Sequence, residues 1–221
     1  MVFAGSATGI KAGAIKIATG QESVHPAPSP MGPNGRRIHQ YEDRLIRAAA
    51  RAQRKTLCCI NTHTDPMDYT VTNPGVEQLE ILEEEGADLG KVIVGHAFVE
   101  PRGVEQIEAI VRRGATVQVD HIGIPWRFDG DEGLDESMAG LMQVLADKGY
   151  MDQMVITYDR WFFNPRGPAT QENPQLLNQG VGLGYIFETF VPRLRGKGFT
   201  DADVHRMMVE NPRRLLSMDS L

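Results

Sequence analysis

Residues 12–20 read Ala12-Gly-Ala-Ile-Lys16-Ile-Ala-Thr-Gly20 and place a single lysine within a run of small and β-branched residues. Such a run predicts a buried β-strand. Burial penalises the ammonium form and lowers the pKa of a lysine, so this lysine is either paired with a carboxylate or kept as a neutral amine for chemistry. The next acidic residue along the chain is Glu22. The alternative is a lysine whose long side chain reaches past the strand end into solvent.

The composition of the chain excludes several classes of protein. The chain has 221 residues, 41% of them hydrophobic, and no composition shift that marks a linker, so residues 1–221 are interpreted as one domain. The net charge of -6 and the scattered Lys and Arg residues argue against a general nucleic-acid surface.

No apolar run is long enough for a membrane span and residues 1–20 lack the pattern of a signal peptide, so we expect a cytoplasmic protein that does not bind membranes. Adjacent Cys58 and Cys59 are expected to be core thiols rather than a disulfide.

Strand and helix patterns alternate along the chain, which indicates a parallel α/β architecture. Two long loops, 21–35 and 160–182, interrupt the alternation. Strands are predicted over residues 12–20, 56–63, 91–96, 115–121 and 154–159. Helices are predicted over 36–55, 76–85, 103–113, 137–148, 185–195 and 201–216, with Asn211-Pro212 interrupting the last one.

The strand ends favour a barrel over a doubly wound sheet. The five successive strands deliver residues that can bind a metal or transfer a proton: Lys16, His63, His96, His121 and Asp159. Side chains from consecutive strands meet at the C-terminal face of a (β/α)8 TIM barrel, whereas a doubly wound sheet concentrates its ligands at one switch point. A complete barrel has eight strands in about 250 residues. We therefore expect an incomplete barrel, with about strands 4 to 8 present, or a sheet completed by another chain.

Taken singly, these residues have structural explanations. A histidine at a strand end is often a hydrogen-bonded structural residue, and an aspartate there often caps the next helix. Taken together, imidazoles and a carboxylate beside a lysine match the ligands of zinc, manganese or cobalt. A neutral lysine amine can also take up carbon dioxide, and the resulting carbamate is an anionic oxygen ligand that can bridge two metals.

The chain resembles the phosphotriesterase family, including its lactonase-like members, within the amidohydrolase superfamily. The resemblance runs from Thr8 to the C-terminus. The segments that carry it are Thr8-Gly-Ile-Lys-Ala-Gly-Ala-Ile-Lys16-Ile-Ala-Thr, Asn61-Thr-His63-Thr, Val94-Gly-His96, Val119-Asp-His121-Ile, Gly149-Tyr-Met-Asp-Gln-Met-Val-Ile-Thr-Tyr-Asp159 and Asn211-Pro-Arg-Arg-Leu-Leu-Ser217.

The resemblance implies a hydrolase with two divalent ions, zinc by preference, and a metal-bridging hydroxide as the nucleophile. Lys16 would be the carboxylated bridging ligand, and His63 and His96 would hold the more exposed ion. Asp159 would bind the buried ion and receive the proton of the nucleophile, and His121 would pass that proton outward. The implied substrates are small phosphotriesters, lactones or carboxylic esters, and the implied assembly is a homodimer.

The sequence also departs from the family. The family holds its buried metal with a His-x-His pair, and this sequence contains none. Val99 stands where an outer carboxylate of the proton relay is expected. Of the other histidines, His25 lies in the first long loop, and His39 and His205 lie on predicted helices and are expected at the surface. The alternative function is therefore a non-catalytic remnant or subunit of the same fold that binds at most one ion.

Two further expectations follow from the sequence. The aromatic residues Trp161, Phe162 and Phe163 could form the wall of an apolar leaving-group pocket, with packing against the closing helices as the alternative. A partial barrel exposes a strand edge and apolar helix faces, so we expect poor solubility unless a partner covers them.

Overall fold

A computed structural model of the chain describes residues 9, 12–20, 36–64, 73–98, 103–123, 132–159 and 184–218. Its strands are β1 (Ala14–Ala18), β2 (Cys59–His63), β3 (Val92–Val94), β4 (Thr116–Val119) and β5 (Met154–Ile156). Its α-helices are α1 (Gln40–Thr56), α2 (Pro74–Glu84), α3 (Val104–Val111), α4 (Glu132–Asp147), α5 (Val191–Gly196), α6 (Asp201–His205) and α7 (Asn211–Leu216).

The five strands form one parallel sheet in the order β1-β2-β3-β4-β5. A doubly wound sheet would reverse its strand order at a switch point, whereas a barrel adds each strand beside the preceding one. The observed order confirms the barrel prediction. Among the described strands, β1 and β5 each have one paired edge only.

Capping residues fix where the first two sheet-covering helices begin. His39 is the N-cap of α1: its side chain accepts a hydrogen bond from the backbone N–H of Tyr41, and Glu42 completes a capping box. His39 is half-buried, and it precedes the helix as its N-cap instead of lying within it as predicted. Helix α2 begins with N-cap Asn73 and Pro74, because a proline in the first turn leaves no additional N–H unpaired.

The two closing helices are continuous rather than interrupted. A five-residue π-helical segment, Ile186–Phe190, leads directly into α5, and a second one, Arg206–Glu210, joins α6 to α7. Each precedes a proline, Pro192 or Pro212, in the first turn of the next segment. A wider π turn accommodates a proline that lacks the N–H and would clash with the carbonyl four residues back. The predicted interruption at Asn211-Pro212 is thus a change of helix type.

Alternation along the strands divides the sheet into two faces. Ile60, Val94, Val117 and Ile156 belong to the main apolar cluster, which packs the sheet against its helices. Three residues of the opposite face, Cys59, Ile93 and Val155, form a small separate cluster with Leu215 of α7. Polar residues share this face, since Asn61 pairs with Ile93 and Gln118 pairs with Val155. The inner face is therefore partly apolar and partly polar.

Two composition-based expectations can be compared with the fold. Cys58 and Cys59 are both buried and unbridged, as predicted. Burial raises the pKa of the Cys59 thiol to about 11, which keeps it protonated at neutral pH. Within the described ranges, none of the helices combines the length and the apolar character that a bilayer crossing requires.

Candidate metal centre

Four of the five predicted strand-end residues lie at the C-terminal edge of the sheet. His63 is the last residue of β2. His96, His121 and Asp159 lie two or three residues beyond the ends of β3, β4 and β5. The strands are therefore shorter than predicted, and three of these side chains project from the turns that follow them.

These three turn residues share an unusual backbone conformation. The φ angles are +61° at His96, +60° at His121 and +50° at Asp159, all in the left-handed region. Residues other than glycine rarely occupy this region, and strained backbone of this kind concentrates at functional sites. Strand alternation alone would place His96 on the helix-facing side, with Val94. The left-handed turn breaks the alternation and lets the ring join the other strand-end side chains.

The rings of the three histidines pack in a row. The ring centroids of His63 and His96 lie 4.4 Å apart in an edge-to-face arrangement. The rings of His96 and His121 are stacked, with their centroids 4.7 Å apart and an angle of 6° between their planes. Asp159 closes the row, because its Oδ2 lies 3.3 Å from Nε2 of His121 and 3.7 Å from Nε2 of His96.

Electrostatics favour an ionised Asp159. Its pKa is lowered chiefly by the hydrogen bond with His121, against the opposing effect of desolvation, with further contributions from His96 and Lys16. An ionised carboxylate accepts hydrogen bonds and binds cations, whereas the protonated form is a weak ligand. Asp159 is therefore suited to hold a metal at neutral pH.

Lys16 departs from the prediction of burial. Its side chain is exposed, because β1 is an edge strand and pairs only with β2 among the described strands. Its amine donates a hydrogen bond of 2.7 Å to Oδ1 of Asn61. Partial desolvation still lowers the pKa of the amine, while the carboxylates of Asp159 and Asp120 oppose that shift. The amine thus remains within electrostatic range of the histidine row without being enclosed.

Gly95 allows β2 and β3 to approach closely beside the site. A Cβ at this position would lie 2.5 Å from the backbone oxygen of Thr62. The N–H of Gly95 donates to that same oxygen at 3.1 Å, and the hydroxyl of Thr64 donates to the carbonyl of Gly95 at 2.8 Å. The glycine of the Val94-Gly-His96 segment therefore fixes the spacing between the strands that carry His63 and His96.

Asp120 is a buried carboxylate that sequence reasoning missed. Its Oδ2 accepts the backbone N–H of His96 at 3.0 Å and lies 3.0 Å from Nδ1 of the same histidine. The residue is fully buried. Polar residues at every second position of an otherwise apolar strand, Gln118 and Asp120, were the available signal. Asn61 and His63 show the same spacing on β2.

The donor set fits a divalent metal. One ligand atom each from His96, His121 and Asp159 lies within 4.8 Å of the others, and this is the single such group of three or more His, Cys, Asp or Glu residues in the part of the chain that the structure describes. Two imidazole nitrogens and a carboxylate oxygen are the ligands that zinc, manganese and cobalt accept. His121, predicted as a proton carrier, is itself one of these three residues, whereas the predicted ligand His63 is not.

Other predicted features lie elsewhere. His205 is exposed on α6, as expected, and lies 3.5 Å from the carboxylate of Glu210. Several residues lie outside the described ranges, so their predictions remain predictions: His25, Val99, Trp161, Phe162 and Phe163.

Comparisons with known proteins agree with the resemblance that the sequence segments carry. The model of the phosphotriesterase family matches residues 4–216. A phosphotriesterase homology protein of Escherichia coli K12 is 31% identical over 182 residues, covering 82% of this chain and 56% of that protein. An aryldialkylphosphatase of Saccharolobus solfataricus is 28% identical over 207 residues, covering 94% of this chain and 58% of that protein.

A solved structure extends the comparison to the fold. The crystal structure of a mutant PTE-like lactonase from Deinococcus radiodurans matches with a TM-score of 0.74 and 27% identity, covering 98% of this chain and 61% of that chain. The chain spans little more than half the length of the curated relatives it matches. Five consecutive strands that correspond to part of the relatives' barrel account for the structural match and for the partial coverage, as the incomplete-barrel prediction requires.

Proposed function

The chain belongs to the phosphotriesterase family, and from that premise we propose that its strand-end residues form a binuclear metal centre, with zinc as the metal, that hydrolyses ester bonds. The proposed ligands are Lys16, His63, His96 and Asp159, with Lys16 as a carbamate. When bound, divalent ions supply Lewis acidity, since they make water more acidic and polarise a phosphoryl or carbonyl oxygen.

The distances between the imidazoles support this ligand set. The ring centroids of His63 and His96 lie 4.4 Å apart, close enough for one ion to contact both rings, and Oδ2 of Asp159 lies 3.7 Å from Nε2 of His96. Lys16 lies on the neighbouring edge strand. Burial lowers the pKa of its amine, and the negative charge of Asp159 opposes that shift.

Asp159 and His121 form the proposed proton path. Asp159 takes the proton of the attacking water at Oδ2 and acts as the general base. Nε2 of His121, 3.3 Å away, is positioned to receive it. The stacked arrangement of His121 on His96 keeps that nitrogen directed at the carboxylate.

The substrate class is a small activated ester: a phosphotriester, a lactone or a carboxylic ester. Two similar proteins, an aryldialkylphosphatase and a PTE-like lactonase, support this range. The aromatic residues Trp161, Phe162 and Phe163 remain the proposed wall for an apolar leaving group. A homodimer in the cytoplasm remains the proposed assembly.

The convergence of three left-handed turn residues on one donor set carries the proposal. It is tested by measuring bound metal and turnover of an aryl dialkyl phosphate and of a γ-lactone, with zinc and bicarbonate supplied. Asp159→Asn should lower turnover at least 100-fold. Asp147→Asn, the same change on the exposed end of α4, should leave metal content and turnover unchanged.

The competing hypothesis is a non-catalytic subunit that binds at most one ion. The absence of a His-x-His pair from the sequence favours it. It predicts one bound metal or none, and no hydrolysis of either ester above the Asp159→Asn background. Two bound ions with turnover of either ester would exclude this alternative.

A further inference from the structure

A chain of four polar side chains crosses the inner face of the sheet below the histidine row. The amine of Lys16 donates to Oδ1 of Asn61 at 2.7 Å. Nδ2 of Asn61 donates to Oε1 of Gln118 at 3.1 Å, and Nε2 of Gln118 donates to Oδ2 of Asp120 at 2.9 Å. These contacts link β1, β2 and β4, and their partners are up to 57 residues apart in the sequence.

The buried carboxylate sets the direction of every hydrogen bond in this chain. Oδ2 of Asp120 accepts the backbone N–H of His96 and also accepts Nε2 of Gln118, so Gln118 turns its NH2 group toward Asp120 and its carbonyl oxygen toward Asn61. Asn61 is oriented in turn, with its NH2 group toward Gln118 and its carbonyl oxygen toward Lys16. Reversing either amide would place two donors or two acceptors against each other.

The same carboxylate also holds the turn that carries His96. Its Oδ2 accepts the backbone N–H of this left-handed residue and lies 3.0 Å from the ring nitrogen Nδ1. With Nδ1 turned toward Asp120, the opposite ring nitrogen Nε2 lies on the side of Asp159, 3.7 Å from its Oδ2. One buried oxygen therefore contacts both the histidine turn and the amide chain that leads to Lys16.

We propose that Asp120 is the positioning residue for both sides of the metal centre, directly for His96 and through Gln118 and Asn61 for Lys16. This inference rests on the proposed function, because it gives Asp120, Gln118 and Asn61 a role in placing two ligands of the proposed metal centre. Without these hydrogen-bonded side chains, the exposed side chain of Lys16 on its edge strand has no fixed direction. It would then lose rotamer entropy when it binds a metal.

The chemistry of carbamate formation is compatible with the amide chain. Carbon dioxide adds to the neutral amine of Lys16, a nitrogen–carbon bond forms and one proton leaves to solvent. The carbamate nitrogen keeps one N–H, which can still donate to Oδ1 of Asn61. The carbonyl of Asn61 can therefore hold the lysine nitrogen before and after carboxylation, while the new carboxylate group is directed away from it.

The test removes the hydrogen bonds of Gln118, which links Asn61 to Asp120. Gln118→Met removes both hydrogen bonds of the amide with little change in volume, and Gln118→Glu keeps the size but puts a carboxylate beside Asp120. Gln153→Met is the matched control: Gln153 is half-buried, as Gln118 is, and its Nε2 donates to the carbonyl of Val111 away from the site. All variants are compared with the unaltered 221-residue chain.

Three readouts are measured. Zinc affinity is obtained by competition with a chromophoric chelator, and the carbamate is detected by ¹³C NMR in ¹³C-bicarbonate. In the metal-free protein, NMR follows the exchange of the side-chain amide protons of Asn61. Both Gln118 variants should lower zinc affinity about 10–100-fold, weaken the carbamate signal and speed the amide exchange. Gln153→Met should change none of the three.

Unchanged zinc affinity, carbamate signal and amide exchange in both Gln118 variants would overturn the positioning role. Equal losses in Gln153→Met would also overturn it, because the effect would then be a general loss of packing. If the unaltered chain binds no zinc, the proposed function fails, and the exchange of the Asn61 amide in metal-free protein still decides whether Gln118 orients it.

Discussion

Substitution of Gly95 by alanine should destabilise the protein and disturb the metal centre together. The added Cβ would lie 2.5 Å from the backbone oxygen of Thr62, a distance that real Cβ atoms do not reach. Because the obstacle is backbone rather than a flexible side chain, β2 and β3 must move apart. Overpacking of this kind costs about 1–3 kcal/mol of unfolding free energy. Since these strands carry His63 and His96, the spacing between the two imidazoles changes as well.

Gly140→Ala is the matched control, with the opposite expected sign. Gly140 lies inside α4, and a Cβ added there meets no atom within 4 Å. Alanine in a helix interior is about 0.8–1.0 kcal/mol more favourable than glycine, so this variant should be more stable than the unaltered protein. The two variants should therefore differ by about 2–4 kcal/mol.

Urea unfolding followed by circular dichroism measures both effects, with zinc affinity measured on the same samples. At a typical urea dependence of about 1–3 kcal/mol per molar, Gly95→Ala should lower the unfolding midpoint by about 1 M. A Gly95→Ala protein with an unchanged midpoint and zinc affinity would refute the close approach of β2 and β3. A destabilised protein with unchanged zinc affinity would refute its link to the site.

Three further predictions concern burial and charge. The pKa of Asp159 is lowered on folding, so its stabilising effect is present above its unfolded pKa of about 3.9 and is lost as the pH falls through the folded value. Asp159→Asn should thus reduce stability at pH 7, and the difference from the unaltered protein should shrink as the pH falls below about 3.9, as measured by urea unfolding. Phe190→Ala, at a fully buried site, should cost about 3–5 kcal/mol. Phe187→Ala, 62% exposed in the same segment, should cost less than about 0.5 kcal/mol. Cys59, with its pKa raised to about 11, should react with a thiol reagent at pH 8 only after unfolding, as read by absorbance.

The parallel order of the sheet was predictable because the alternation of strands and helices is local and periodic. Helix starts and the residues that cap them follow from short-range rules, as at Asn73-Pro74. The strand ends were less predictable. The apolar patterns continue through His96 and His121, and no sequence signal marks a histidine that adopts a positive φ.

The exposure of Lys16 could not be read from its own segment. Burial of a strand residue depends on what covers both sides of the strand, and β1 is paired on one side only among the described strands. The contacts of Asn61 with Gln118 also depend on tertiary structure, since they join residues that are 57 positions apart. Polar residues at alternate positions indicate that an inner face is functional, but not which of them touch.

Anomalous diffraction at the zinc absorption edge, from crystals of the zinc-loaded protein, tests the central claim most directly. The proposed centre predicts a peak about 2.0–2.2 Å from an imidazole nitrogen of His96 and a second peak near Oδ2 of Asp159. Zinc bound elsewhere on the protein, with no density between the side chains of His63, His96 and Asp159, would contradict the claim that these strand ends form a metal site.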